Sequence, residues 1–449
     1  MSELPEGWAI TSLGEIAVWG SGGTPSRSEP SFYGGSIPWI KSGELNSRYV
    51  KSTEESITEA AVSGSSAKIF PAGSVAIAMY GATIGKTAIL GVDAATNQAC
   101  AVGIPVEGLT DTDFLYRLLQ NEKDAFIEKG KGGAQPNISQ AVIKAHEISL
   151  PPLAEQTRIA AKLDELLAQV DTLKARIDGI PALLKRFRQS VLAAAVSGRL
   201  TEEWRATLQS AECWKTVPVG ALCSSAFDGP FGSKLKSDDY TAEGVRVVRL
   251  ENIGHLSFIG EKKTFISVAK HAELSKNTLR TGDILFSSFV DEEIRVCRLP
   301  KSEEVFINKA DCFCLRIDDT TANPSFVMYA LAAKHTYQRI RESVHGATRP
   351  RINLGFLKSF EIELPPQAEQ TEIVRCIEQL FAFADQLEAK VASAKSRIDQ
   401  LTQSILAKAF RGELVPQNPS DEPASVLLER IQAQRAATPK AKRGRKASA

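Results

Sequence analysis

The residues Gly81 to Thr87 come closest to a pattern with known chemistry. They read GATIGKT and follow the strand-like run Ser74 to Tyr80, so they resemble the glycine-rich loop that binds nucleotide phosphates through its backbone amides. That loop needs one more residue between its glycines than this segment has, and a shorter loop would not wrap a phosphate in the usual geometry. The second half of the chain carries Phe289 to Arg295 at this place, without glycine or lysine. We therefore interpret Lys86 as a surface or phosphate-contacting residue.

Residues that could perform catalysis or hold a metal do not cluster in the sequence. The five histidines are not paired at metal spacing and none lies beside a plausible nucleophile. The acidic run of Asp291, Glu292 and Glu293 is contiguous, so its side chains diverge, as in a solvated loop. A DNA methyltransferase would need an Asn/Asp-Pro-Pro-aromatic tetrapeptide, whereas both Pro-Pro pairs here follow leucine and precede predicted helices. The sequence predicts no catalytic residue, metal or cofactor in this chain.

Composition describes an ordinary globular protein of more than one domain. The 449 residues suit two or three domains, with 54 Lys and Arg against 53 Asp and Glu,. Nucleic-acid binding would therefore need a local basic surface. The seven cysteines are scattered, which is typical of free thiols in a reducing compartment. No leader precedes the first residues and no apolar run is long enough to cross a bilayer, so we expect a cytoplasmic protein with no membrane partner.

An internal repeat organises the elements that must position any site. Residues 148–160 read ISLPPLAEQTRIA and residues 362–374 read IELPPQAEQTEIV, identical at 9 of 13 positions with an offset of 364 − 150 = 214. The other matched pairs are 190–200 with 404–414 and 132–138 with 346–352 at the same offset, and 37–46 with 245–254 at an offset of 245 − 37 = 208. The chain is therefore a tandem duplication with similar helical segments and divergent globular halves.

The repeated segments predict two long helices. Apolar residues recur at spacings of four and three from Ile159 to Val191 and from Ile373 to Ile405, which predicts a coiled-coil seam. Each helix should begin after its Leu-Pro-Pro and end near Gly198 or Gly412, giving about forty residues and a length of roughly 60 Å. An exposed apolar stripe of that length predicts an antiparallel pair within the chain. Pro181 should kink the first helix.

The globular halves mix short strands with helices, so the predicted fold class is α+β, with two such domains separated by the two helices in a pseudo-twofold repeat. The predicted strands are 75–79, 99–104, 245–250, 283–286 and 312–317, and the predicted helices are 112–126 and 325–342,. The predicted domains are 1–150, a central helical spacer 151–205, 206–364, a distal helical spacer 365–415, and a tail 416–449. The tail holds a short amphipathic stretch and a basic end, Lys440 to Lys446, which could contact DNA phosphates or only solubilise the chain.

Polar loops at matching places in both halves are candidates for reading base edges. Such readout needs Arg, Lys, Asn, Gln, Ser and Glu on short, glycine-shaped turns, although loops are polar in all proteins. In the first half the candidates are Thr24, Ser26, Arg27, Lys41, Ser42, Glu44, Asn46, Tyr80, Thr83, Lys86, Gln135 and Asn137. In the second half they are Ser233, Lys234, Arg249, Glu251, Asn252, Ser287, Ser288, Arg349, Arg351 and Asn353.

The chain resembles the specificity subunits of type I restriction-modification enzymes along its whole length. The stretches that carry the resemblance are LPEGW at 4–8, LPPLAEQTRIAAKLDELLAQVDTLKAR at 150–176, LPPQAEQTEIVRCIEQLFAFADQLEAKV at 364–391 and LTQSILAKAFRGEL at 401–414. The resemblance implies two target recognition domains, 1–150 and 206–364, each reading one half of a split double-stranded DNA sequence. A coiled-coil adaptor without a DNA role and a stand-alone DNA enzyme are the alternatives.

The resemblance also implies partners. The helical spacers would dock two modification subunits, which carry S-adenosylmethionine and methylate adenines flipped out of the duplex. Restriction subunits, which are translocases and nucleases using ATP and Mg, would join for cleavage. The chain itself would then be non-catalytic, supplying the address and the distance between half-sites.

Overall fold

The computed structural model describes residues 4–130, 137–208, 213–290, 294–344 and 350–437. Within these residues the chain forms two compact units, residues 1–176 with 394–449 and residues 177–393. No helix among the described residues is long and apolar enough to cross a membrane.

The elements of the first globular half precede a long helix. Its strands are β1 (Ala9–Ser12), β2 (Ala17–Ser21), β3 (Tyr33–Ile40), β4 (Tyr49–Val50), β5 (Ser56–Ile57), β6 (Ile69–Phe70), β7 (Val75–Ala78), β8 (Thr87–Leu90), β9 (Ala94–Thr96), β10 (Cys100–Pro105) and β11 (Glu147–Leu150). Its helices are α1 (Leu13–Ile16), α2 (Glu59–Gly64), α3 (Thr112–Asn121), α4 (Lys123–Lys129) and α5 (Gln140–Lys144), followed by the long helix α6 (Leu153–Val196).

The second globular half has a similar order of elements. Its helices are α7 (Glu202–Ala206), α8 (Val268–Glu273), α9 (Pro324–Ala332), α10 (Lys334–Glu342) and α11 (Leu354–Ser359). Its strands are β12 (Lys215–Pro218), β13 (Cys223–Phe227), β14 (Tyr240–Thr241), β15 (Val245–Val248), β16 (Phe265–Ile266), β17 (Ile284–Ser287), β18 (Val296–Arg298), β19 (Phe306–Asn308), β20 (Cys312–Ile317) and β21 (Glu361–Leu364). The second long helix α12 (Gln367–Phe410) and the helix α13 (Ala424–Ala437) follow.

Each half contains two mixed or antiparallel sheets and a strand pair that connects it to a long helix. In the first half the strand orders are β2-β10-β7-β8-β4 and β5-β3-β9-β6, with β1 paired to β11. In the second half they are β13-β20-β17-β18 and β14-β16-β15-β19, with β12 paired to β21. In both halves one parallel pair, β3 with β9 or β15 with β19, leads into a short turn at the candidate loops. The predicted α+β fold with an internal repeat is therefore confirmed.

The long helices begin and end where the sequence predicts. Leu153 and Gln367 follow the Pro-Pro pairs, and the helices end before Gly198 and Gly412, whose φ values of 75° and 73° suit glycine,. The helix α6 continues through Pro181, and the kink stays a prediction.

The two helices pack against each other in antiparallel order within each unit. In the first unit Lys174 Nζ of α6 lies 3.2 Å from Asp399 Oδ1 of α12. In the second unit Arg188 Nη2 of α6 lies 2.6 Å from Asp385 Oδ1 of α12, and Arg188 Nη1 lies 2.7 Å from Glu388 Oε1 of α12. Each unit therefore combines one part of each long helix with one globular half.

Two details of the helix predictions are wrong. Leu173 and Leu401 belong to the predicted apolar seam, yet 46% and 45% of their surface is exposed, so burial is not continuous along the seam. The predicted helix 112–126 is interrupted at Glu122, and the predicted helix 325–342 at Ala333, whose extended backbone breaks the helical path. Glu122 binds the buried His146 and Ala333 is fully buried, so tertiary contacts override the local helical pattern at both points.

Candidate nucleic-acid interface

In the first unit a Glu-Gln pair at the start of α6 fixes the globular half to the helix. Gln156 is fully buried, and its Nε2 donates to Leu109 O at 2.9 Å and to Pro151 O at 3.0 Å while its Oε1 accepts from Asp111 N at 3.0 Å. Glu155 accepts a hydrogen bond from Trp8 Nε1 at 3.1 Å, and burial raises the pKa of this carboxyl. These contacts join the chain start, α3 and α6.

The second unit repeats the junction at the start of α12. Gln370 Nε2 donates to Pro365 O at 2.8 Å, and its Oε1 accepts from Asn323 N at 2.7 Å. Glu369 accepts from Trp214 Nε1 at 3.0 Å and from Thr201 Oγ1 at 2.7 Å. Glu369 also binds the guanidinium of Arg205, a charged partner that Glu155 lacks among its described contacts. The repeated Ala-Glu-Gln-Thr sequence is thus the part of each helix that holds a domain.

In the first half, two candidate cations share one carboxylate. Arg27 Nη1 lies 2.7 Å from Glu55 Oε2, and Lys41 Nζ lies 2.7 Å from Glu55 Oε1. The Arg27 guanidinium also lies 4.3 Å from the Tyr33 ring centroid and 5.5 Å from that of Trp39, within cation–π range. Arg27 first and then Lys41 lower the pKa of Glu55 to about 2.

A second group of candidates surrounds the β7–β8 hairpin. Lys86 Nζ donates to Asn46 Oδ1 at 2.8 Å, and Thr83 Oγ1 donates to Tyr80 O at 2.8 Å. Tyr80 forms an isolated antiparallel bridge with Asn137. The segment resembling a phosphate loop therefore connects two antiparallel strands, and the helix that such a loop requires does not follow β7,. This supports the interpretation of Lys86 as a surface residue.

The remaining first-half candidates lie on the loops after β2 and β3. Thr24 Oγ1 donates to Gln98, and Ser26 Oγ lies 2.7 Å from Ser28 Oγ. Ser42 is half-buried. Glu44 accepts from the backbone amides of Lys41 at 2.7 Å and Glu54 at 2.8 Å, so it shapes the turn itself. Gln135 lies outside the described residues.

In the second half the candidate loops converge on Arg351. Its guanidinium binds Asp311 and lies 4.7 Å from the Phe289 ring centroid, and its backbone bridges Phe289. This bridge corresponds to the bridge between Tyr80 and Asn137 in the first half. The same loops therefore meet in both halves, although the side chains that meet are different.

Other second-half candidates are exposed or half-exposed. Ser233 and Lys234 are exposed, and Arg249 Nη1 lies 3.7 Å from Glu251 Oε1. Asn353 Oδ1 accepts from Phe356 N at 2.8 Å and so caps α11, but the residue is exposed,. Arg349 lies outside the described residues.

Three second-half candidates are buried and bond within the protein. Asn252 is 1% exposed, and its side chain binds the backbone of Arg249, Ile259 and Lys262. Ser287 and Ser288 are 1% and 2% exposed, and Ser288 Oγ donates to Asp311 Oδ1 at 3.0 Å. Direct contact of these three side chains with a base edge is inconsistent with this burial. Asn252 occupies the place of Glu44, so the turn requires an acceptor side chain here.

Sequence reasoning missed the carboxylates that orient the cations. Glu55 and Asp311 were not among the candidates, yet each holds a candidate arginine. Among the described residues there is no group of three or more His, Cys, Asp or Glu that could hold a metal ion.

Comparison with known proteins places the chain in one family. The profile of the type I restriction modification DNA specificity domain matches residues 5–182 and 212–394. The EcoKI specificity subunit of the type I restriction enzyme from Escherichia coli K12 is 32% identical, covering 99% of both chains. The EcoDI specificity subunit from Escherichia coli is 35% identical, covering 76% of this chain and 80% of the relative.

Solved structures show the same fold. A chain from a structural study of complex assembly and conformational transition of the type I R-M system matches with a TM-score of 0.64 at 20% identity, covering 92% of this chain and 100% of the other. The HsdS subunit from Thermoanaerobacter tengcongensis matches with a TM-score of 0.60 at 21% identity, covering 92% and 98%.

Proposed function

The chain belongs to the specificity subunits of type I restriction-modification systems, and on that premise we propose that each globular half reads one half of a split DNA sequence. The observation that carries this proposal is the meeting of equivalent loops in both halves, Tyr80 with Asn137 and Phe289 with Arg351. The two halves share a scaffold and present different side chains at the equivalent position. Two independent readers on one duplex have this organisation.

The proposed reading surface consists of the candidates that expose polar atoms. Arg27, Lys41, Asn46, Lys86 and Asn137 contribute in the first half, with Thr24, Ser26, Ser42, Tyr80 and Thr83 around them. Ser233, Lys234, Arg249, Glu251, Arg351 and Asn353 contribute in the second half. Gln135 and Arg349 lie outside the described residues and remain part of the proposal. Glu44, Asn252, Ser287 and Ser288 act by shaping these loops.

The helices α6 and α12 would dock two modification subunits and set the distance between half-sites. Exposed apolar side chains on these helices support this role, since such residues mark protein interfaces. Leu173 and Leu401 in the first unit, and Leu183 and Phe383 in the second, are 45% to 56% exposed. The proposed division is 1–150 and 206–364 for recognition, 151–205 and 365–415 for spacing, and 416–449 as a tail.

Catalysis would belong to the partners. The modification subunit would carry S-adenosylmethionine and the restriction subunit would use ATP and Mg. This chain would recognise the DNA target sequence, in the cytoplasm. The residues of the proposed reading surface make ion pairs and turns, which suit binding.

The test is a methylation map. The chain is co-expressed with a cognate modification subunit in a methylation-free host, and N6-methyladenine is located across the genome. A split motif with a fixed gap is expected. A stable complex that produces no methylation would contradict the proposal and favour a coiled-coil adaptor, which also predicts no salt-sensitive DNA affinity.

Two changes to the chain test the division of labour. Exchanging residues 1–150 for the corresponding domain of another specificity subunit should change one half-site only, and a change in both would contradict independent readers. Inserting one or two heptad-like turns into either α6 or α12 should lengthen the gap and leave both half-sites unchanged. Retention of the original gap would contradict the spacer role.

A further inference from the structure

Arg351 is fixed both through its backbone and through its side chain. Its backbone bridges Phe289, its guanidinium lies 4.7 Å from the Phe289 ring centroid, and the same group binds Asp311. The side chain is nevertheless 48% exposed. A flexible arginine is therefore held with its guanidinium plane defined and part of that group still accessible.

Asp311 is itself held in an unusual position. Its φ of 73° lies in the left-handed region, which few residues other than glycine adopt,. Its Oδ1 accepts from Ser288 Oγ at 3.0 Å, and its amide donates to Asp228 Oδ1 at 3.2 Å. Asp228 also accepts from Gly229 N at 2.7 Å. Asp311 is thus held by hydrogen bonds with two other loops, at Ser288 and Asp228, while its carboxylate binds Arg351.

The surroundings of Arg351 favour a neutral partner over a phosphate. Asp311 binds the guanidinium, and Asp228 lies next to Asp311, whose amide donates to Asp228 Oδ1. Two carboxylates at this point repel a phosphate oxygen but not the neutral acceptors of a base edge. Guanine presents O6 and N7 side by side in the major groove, and a planar, fixed guanidinium matches that pair.

We propose that Arg351 reads a guanine in the half-site of the second domain, and that Asp311 is the positioning residue that aims it. This inference rests on the proposed function. It adds the base that is read, the residue that reads it and the acidic residue that orients the reader.

The test uses the full chain in complex with modification subunits and compares methylation maps. In Arg351→Ala one G·C position of one half-site should become degenerate, with methylation at mismatched sites rising about tenfold or more. Arg351→Lys should relax the same position, because lysine keeps the charge but loses the planar fork. Asp311→Asn, which tolerates the left-handed backbone, should relax that position to a smaller degree. Lys263→Ala, which removes an exposed partner of Glu304, is the matched control and should leave the motif unchanged.

Each outcome bears on one level of the proposal. An intact motif in Arg351→Lys with weaker binding to all sites would overturn base reading and indicate a phosphate contact. Degeneracy at an A·T position would overturn the assignment to guanine. If Asp311→Asn lowered methylation equally at every position of the motif and also lowered the melting temperature, the positioning role would be overturned. Asp311→Gly, which relieves the left-handed backbone, distinguishes loss of the carboxylate from backbone strain. A wild-type complex that methylates no split motif would instead contradict the proposed function.

Discussion

The two globular halves are alike where they join the long helices and different where their loops meet. At the junctions, Gln156 and Gln370 make equivalent backbone hydrogen bonds, and Trp8 and Trp214 donate to equivalent glutamates. At the loops, an asparagine in one half stands where Arg351 stands in the other. The contacts that hold each half to its helix are the same, whereas the side chains at the loop surface differ between the halves. A duplicated protein can therefore present two different surfaces on one framework.

The junctions also differ in one respect, the charge compensation of their glutamates. Glu369 has Arg205 as an ionic partner, while Glu155 receives a hydrogen bond from Trp8 and a longer one, 3.5 Å, from Gln417. Burial raises the pKa of Glu155. Similar sequences thus carry a carboxylate with an arginine partner at one junction and a carboxylate with only neutral hydrogen-bond donors among its described contacts at the other.

The largest expected effect comes from neutralising Glu369, and the same change at Glu155 serves as the comparison. Glu369→Gln should lower the free energy of unfolding by about 3 kcal/mol, because it leaves Arg205 without its buried partner. Glu155→Gln should be neutral or stabilising at pH 7. Urea denaturation of each variant, followed by tryptophan fluorescence, measures both. Equal losses in the two variants would show that the junctions are energetically equivalent.

The pH dependence of Glu155 has a defined sign. Because its pKa is raised in the folded state, its contribution to stability is complete below the ordinary value of 4.5 and is lost as the pH rises through the raised pKa,. Glu155→Gln should therefore flatten the decline in stability above pH 4.5. An unchanged pH profile would contradict this assignment.

The next largest effect is expected from the buried glutamine that both junctions share. Gln156→Ala and Gln370→Ala should each cost about 2 kcal/mol, since each leaves buried backbone groups without partners. Denaturation curves should give similar values for the two variants, with Gln169→Ala, at an exposed glutamine of α6, as the control. A loss at only one junction would break the equivalence.

At the loops a smaller effect is expected from Lys86. Lys86→Ala should reduce the slope of log affinity against log salt by roughly 0.9, the value of one phosphate contact, without changing the methylated motif. Fluorescence anisotropy on a duplex at several salt concentrations measures the slope. Lys174→Ala, which removes the ion pair with Asp399 on the helices, is the control. A changed motif in Lys86→Ala would make Lys86 a base reader.

The smallest expected effect comes from Glu55, which is half-buried and, like Asp311, holds a candidate arginine. Glu55→Gln releases Arg27 and Lys41 from an exposed ion pair, which contributes little to stability, so the melting temperature should not change. DNA affinity should rise by roughly twofold, since a negative charge beside two cations is removed. Relaxed specificity without stronger binding would instead make Glu55 a positioning residue like Asp311. Binding and methylation assays on the same variant distinguish the two.

Sequence reasoning succeeded where structure depends on neighbours along the chain. Proline and glycine fixed the ends of α6 and α12, and the repeat placed the candidate loops in register,. Strands β7, β10 and β20 lie within one residue of their predicted bounds. Sequence reasoning failed at Leu173 and Glu122, where exposure and a helix break depend on what packs nearby.

The sequence by itself determined the duplication, the two helices and the loops in which the polar side chains lie, because periodicity, capping and turn formation are local. Only the tertiary structure decided which of those side chains reach the surface. Asn252 is buried by its bonds to Ile259 and Lys262, and Arg351 is aimed by Asp311, 40 residues away in the chain. The orientation of a loop side chain depends on such distant partners, and no local pattern encodes them.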